Sequence, residues 1–219
     1  MKVVSFICTF HDERGRTNVS ELHAILERIH PEVIFLEAPF TLRRDQFEIG
    51  KLNNLESGAV SRYLDGHSVE LVPVDLPTPR ESFFRQSQEL FNDVERARYE
   101  YCRLIDENKV RMIYEGFFYL NSESHSKHQS NLHEEILRTI ESRDCKWMAE
   151  AYKEWRHVIE LRDMEMLSNI AGYCRENAFG RAAFLVGAAH RESIVNRSRS
   201  LALSGAEGVQ WDYVGNWYE

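Results

Sequence analysis

Four short runs of the chain are apolar almost without interruption: residues 3–8 (VVSFIC), 33–36 (VIFL), 69–74 (VELVPV) and 182–186 (AAFLV). An amphipathic helix needs a 3.6-residue period and a half-exposed strand needs alternation, and these runs have neither. Runs of this length and character suit strands buried on both faces, the condition of a parallel sheet covered by helices. Pro73 has no N–H to give to a ladder, so the third run ends near it or lies towards an edge. A fifth run, 209–214 (VQWDYV), alternates and is expected as an edge strand with one wet face.

Between the first two runs, Leu22, Ile25, Leu26 and Ile29 fall at helical spacing, Asn18 and Glu21 make a capping signal, and Pro31 stops the helix. Strand, helix, strand is a βαβ unit with a right-handed crossover. From residue 80 to 177 the pattern becomes helical. Phe83, Phe84, Leu90, Phe91, Val94, Tyr101, Leu104 and Ile105 mark one long helix, and residues 145–177 carry one or two more. Residues 121–131 (NSESHSKHQSN) are polar and predict a surface loop, which places His125 and His128 in solvent; with His133 they form a weak alternative metal cluster. The expected fold is α/β: a mainly parallel sheet of about five strands from residues 1–79 and 180–219, with a helical insertion over 80–179 that serves as lid or specificity region.

Composition narrows the function classes. With 27 Lys+Arg against 35 Asp+Glu, a formal charge of −8 disfavours nucleic acid as a partner. No apolar segment approaches the roughly 18 residues of a membrane span, so no membrane partner is expected. The apolar stretch at residues 3–8 is too short for a secretory leader, and His11, Asp12, Glu13 and Arg14 follow at once, so a cytoplasmic location is expected. Cys8, Cys102, Cys145 and Cys174 are scattered, which fits neither a disulfide framework nor a thiolate zinc site. The aromatic tail, Trp211, Tyr213, Trp217 and Tyr218, packs either internally or on a second subunit, which leaves homo-oligomerisation open.

In a parallel α/β sheet, ligands bind beyond the carboxyl ends of the strands. His11 follows the first run, Glu37 the second, Asp75 the third and His190 the fourth, so all four are expected at one sheet edge. Two imidazoles and one or two carboxylates could hold Zn²⁺, Mn²⁺ or Co²⁺ with positions open for water, or could perform acid–base chemistry on water directly. Gly187, with Ala188 and Ala189, allows a close approach to the backbone before His190. Glu37 either pairs with a cation such as Arg162 or does chemistry. Arg162, beside Asp163 in an amphipathic helix, either faces solvent or reaches Glu37 or a substrate carboxylate.

These residues resemble the superfamily that joins TraB/PrgY proteins, Tiki metalloproteases, ChaN-like haem-binding proteins and erythromycin esterases. Cys8-Thr9-Phe10-His11 is similar to its G-x-x-H, Glu37 within IFLEAP to its strand-terminal Glu, residues 161–166 (LRDMEM) to its E-R-N/D-x-x-M helix, and Gly187-Ala188-Ala189-His190 to its second G-x-x-H. Cys8 and Leu161 stand where that pattern has Gly and Glu. The resemblance implies a core site of His11, Glu37 and His190 with Arg162 as supporting cation. It also implies hydrolysis of a peptide, amide or ester bond, on a divalent ion as in the Tiki proteins or without metal as in the esterases. The expected roles are His11, Glu37 and His190 as metal ligands, Glu37 or Asp75 as base, and Arg162 as stabiliser of negative charge, acting on a small molecule or peptide. The alternative is a module that binds haem or another small ligand and turns nothing over.

Overall fold

A computed structural model describes residues 1–41, 54–203 and 209–213. Val214, Trp217 and Tyr218 of the predicted fifth run and tail lie outside the described residues. All five strands run parallel: β1 (Lys2–Thr9), β2 (Val33–Pro39), β3 (Glu70–Asp75), β4 (Arg181–Gly187) and β5 (Val209–Asp212), in the order β3-β2-β4-β1-β5. The four continuous runs are β1 to β4. β3, with Pro73, and the alternating β5 are the edges. β4 lies between β1 and β2 and is fully buried from Ala182 to Val186, in a core with Phe6, Ile7, Ile34 and Phe35.

Helix α1 (Val19–Ile29) begins where the capping signal placed it: the Asn18 side chain accepts from the Glu21 N–H at 3.0 Å. It buries Leu22, Ile25, Leu26 and Ile29 and packs beside α2 (Leu55–Leu64). Between β3 and β4 come α3 (Glu81–Ala97), α4 (Tyr99–Leu120), α5 (Glu123–Arg143) and α6 (Lys146–Glu176). They carry a second apolar cluster that includes Leu90, Val94, Leu104, Leu132, Ile136 and Met148. A 3-10 turn (Ala188–His190) and α7 (Arg191–Leu203) follow β4.

The helical region departs from expectation in two places. The single long helix breaks at Arg98, whose backbone is extended (φ −132°, ψ 105°), so α4 turns back on α3. The segment 121–131 is no surface loop. Ser122 caps α5, accepting from the His125 N–H at 3.2 Å, and the helix buries His125, His128, Leu132, Glu135, Ile136 and Thr139. Its inward stripe has helical spacing but starts with imidazoles in place of hydrocarbon, so the apolar period is absent over its first two turns.

Two contacts at the end of α4 seat the insertion against β1 and the loop that follows it. α4 bends at Gly116 (φ 59°), and a Cβ there would stand 2.9 Å from the Arg16 carbonyl oxygen, so this crossing requires glycine. Among the described residues, β5 pairs β1 from Lys2 to Ser5. Further along, the buried Asn121 side chain replaces it: Oδ1 accepts from the Cys8 N–H at 2.7 Å, and Nδ2 donates to the Cys8 carbonyl at 3.3 Å. Asn121→Ala would leave buried peptide groups unpaired at about 1–3 kcal/mol each. Urea unfolding should show a loss of about 2–4 kcal/mol. A loss under about 0.5 kcal/mol would mean that the strand edge has another partner.

Candidate functional site

The strand order sets the site. From β1 the chain crosses to β2 on one side of β4, whereas from β4 it crosses to β5 on the other side of β1. The connections therefore diverge at the carboxyl ends of β1 and β4, the crevice where open parallel sheets bind ligands. Glu37 lies at the end of β2 within a register shift between Leu36 and Pro39, and Asp75 ends β3. The long α6 brings Arg162 and Asp163 over these ends.

Arg162 grips two strands. Its Nε donates to both oxygens of Asp75 at 3.2 and 3.0 Å, and its Nη2 donates to Asp75 Oδ2 at 2.5 Å and to Glu37 Oε1 at 2.6 Å. Glu37 Oε2 accepts from the Gly187 N–H at 2.6 Å, and a Cβ on Gly187 would crowd that oxygen at 3.2 Å. The neighbouring Asp163, fully buried, holds His190 Nδ1 from its Oδ1 at 2.5 Å. His190 Nε2 faces Glu37 Oε1 at 3.3 Å. Five side chains thus form one chain: Asp75, Arg162, Glu37, His190, Asp163.

Burial alone would raise the Glu37 pKa. The hydrogen bond and charge of His190, the Arg162 guanidinium and the Gly187 amide outweigh it and hold the carboxyl well below the usual range. Burial alone would lower His190, but Asp163 and Glu37 on its two nitrogens raise it to about 9. At neutral pH the resting site therefore pairs imidazolium and guanidinium with carboxylates.

Glu37, Asp75 and His190 meet at the sheet edge as the sequence predicts, and of the two alternatives for Arg162 the structure shows the one in which it reaches Glu37. His11 reaches the same cavity but not the chain of bonds: it is largely exposed, with Nδ1 3.3 Å from Glu56 Oε1, and that hydrogen bond raises its pKa. Thr9 Oγ1 donates to the same Glu56 oxygen at 2.7 Å. His11, Glu37 and His190 do not bring three ligand atoms within 4.8 Å of one another. In this arrangement the set does not fit a divalent ion, because Glu37 Oε1 already faces two cationic donors and both His190 nitrogens face carboxylates.

Sequence reasoning left Asp163 and Glu56 without a role. A signal for Asp163 existed: it shares a helical stripe with Met166, Leu167 and Ile170, so a carboxylate stands at an apolar position. A cavity of about 390 Å³ opens above His190, Glu37 and Arg162 and is roofed by the insertion, with Phe91, Leu132, Ile136 and Trp155 on its apolar side. His125 and His133 also line it. Burial pushes His125 down to about 3 and lowers His133, so both are neutral, and His125 Nδ1 has no hydrogen-bond partner. Among the described residues, no helix is long and apolar enough to cross a membrane.

The raised His190 pKa is also a stability term. Its contribution, about 3 kcal/mol, is fully present below the ordinary histidine value near 6.5 and is lost as pH rises through about 9. Urea unfolding from pH 6.5 to 9 should show a steady loss of that order in the wild type and a flatter profile in His190→Gln. Equal profiles would place the proton elsewhere. No protein-family model, curated protein or solved structure matches the chain.

Proposed function

We propose that the chain is a hydrolase that cleaves an ester or amide bond of a small molecule or peptide, with His190 as its proton-transferring residue. The observation that carries this reading is the buried Asp163–His190–Glu37 series opening on a cavity of substrate size. Asp163 fixes the Nδ1–H tautomer and leaves Nε2 as the working nitrogen, the division of labour seen wherever a carboxylate orients a catalytic imidazole. Neutral His190 takes a proton from a water held between it and the substrate carbonyl, then returns it to the leaving group. Glu37 stabilises the imidazolium so formed. Arg162, neutralised by two carboxylates, positions Glu37. Ala188 and Ala189 line the cavity in the first turn after β4, where N–H groups lack intrahelical acceptors and suit a developing oxyanion. The apolar roof favours a substrate with an aromatic or branched aliphatic group beside the scissile bond. The resemblance to the TraB, Tiki and erythromycin esterase superfamily, on His11, Glu37, Arg162 and His190, supports hydrolysis.

A second reading is a ligand-binding module of the same fold, favoured by the apolar roof with two neutral histidines. For haem, a Soret band lost in His11→Ala would support it.

The test is turnover of a panel of p-nitrophenyl esters and aryl amides with apolar acyl groups, together with elemental analysis of protein purified without chelator. Wild-type kcat/KM should rise with pH to a plateau above about 9. His190→Gln and Asp163→Asn should each lower it by at least about 100-fold. Variants as active as wild type would overturn the assignment, and an inactive wild type would favour the binding module. A stoichiometric divalent ion lost in His190→Gln would move water activation onto a metal.

A further inference from the structure

At the opposite edge of the sheet, α1 ends in a second cluster of chemistry-bearing side chains. Glu27, His30 and His67 each offer a ligand atom within 4.8 Å of the other two. Glu27 Oε2 lies 3.5 Å from His67 Nε2, and its Oε1 lies 3.3 Å from Nε2 of His23, one helical turn earlier. The His30 and His67 ring centres are 5.7 Å apart. From this geometry we infer a divalent-metal site of the zinc class, held by Glu27, His30 and His67 with the fourth position left to water.

The donor set is the one a borderline ion selects, imidazole nitrogens with one carboxylate. The set is also oriented from outside. His67 Nδ1 lies 3.2 Å from the Tyr63 carbonyl, which accepts its N–H and directs the Nε2 lone pair at Glu27. The ring is stacked on the Tyr63 phenol at 4.1 Å between centres, 3° from parallel. A backbone carbonyl on the far nitrogen is the usual support of a metal-binding histidine. His30 is delivered by the helix end: its φ of 48° lets the chain leave α1 while its N–H bonds the Leu26 carbonyl at 2.9 Å. His23, Glu27 and His30 share one ridge of α1, and His67 comes from the segment between α2 and β3. The ion therefore clips two chain segments together on one face of the sheet. Its position, at the amino ends of the strands, separates it from the cavity and from any ion that His11 and His190 could recruit.

The experiment is titration of the chelator-stripped 219-residue chain with Zn²⁺ against a chromophoric chelator, with Co²⁺ as a spectroscopic substitute. Expected are one Zn²⁺ per chain, a visible Co²⁺ spectrum of low coordination number, and a Tm raised by several degrees at a hundredfold excess over Kd. His30→Ala and His67→Gln should each weaken binding at least about tenfold and remove the Tm shift, while His190→Gln leaves both unchanged. These side chains are at least partly exposed, so the variants should fold, which circular dichroism checks. Absence of binding at 1:1 stoichiometry, or binding lost in His190→Gln but kept in His30→Ala and His67→Gln, overturns the assignment.

Discussion

Arg162 and Asp163 are adjacent on one helix and point to different partners, and through them α6 holds three strand ends at once. Arg162 ties Glu37 of β2 to Asp75 of β3, while Asp163 holds His190 just beyond β4. Removing water from five ionisable groups is costly, and their mutual bonds offset that cost only while the geometry is kept. Any substitution that removes one member leaves a buried group without its partner. The network therefore favours one placement of the insertion over the sheet. Two of its carboxylates, Asp163 and Glu37, flank the His190 ring, which is why the proton there is held so firmly.

How much of this was legible in the sequence differs by level. Strands whose both faces are buried announce themselves in composition, so residues 3–8, 33–36, 69–74 and 182–186 map onto β1 to β4 within a few residues. Local chemistry was legible too: the Asn18 cap and the edge position imposed by Pro73 are short-range constraints. Strand order was not, because the placement of β4 between β1 and β2 joins residues about 150 to 180 apart in the chain. The convergence of Glu37, Asp75 and His190 was accessible since it needs only the rule that parallel strands share a carboxyl edge. His11 followed the same rule, yet β1 runs on to Thr9 and delivers it to Glu56 at the cavity rim.

The first turns of α5 and the role of Asp163 were hidden for one common reason. Pattern reading treats polar side chains as solvent-facing, and both elements bury them. His128 Nε2 reaches the Leu104 carbonyl at 2.9 Å, which satisfies a ring that would otherwise be expensive to bury. Asp163 is acceptable in the core because His190 meets it there. Polar groups at apolar register are places where stability has been exchanged for something else, and here His125 lines the cavity while Asp163 holds His190, which does.

The same helix that completes the site also covers it, and that limits how the cavity can open. If the insertion swung away as a rigid unit, Arg162 would leave Glu37 and Asp75, and Asp163 would leave His190, with like-charged carboxylates stranded at the sheet edge. Each broken buried pair costs about 3–5 kcal/mol, so such an opened form would be populated far below one part in a thousand. Access is cheaper through α3 and α5, whose apolar cluster with the first turns of α4 and α6 is separate from the core under the sheet and can shift without breaking the Arg162 and Asp163 pairs. The division follows from electrostatics: α6 is the fixed wall of the cavity, and the remaining helices form the part of the roof that can yield.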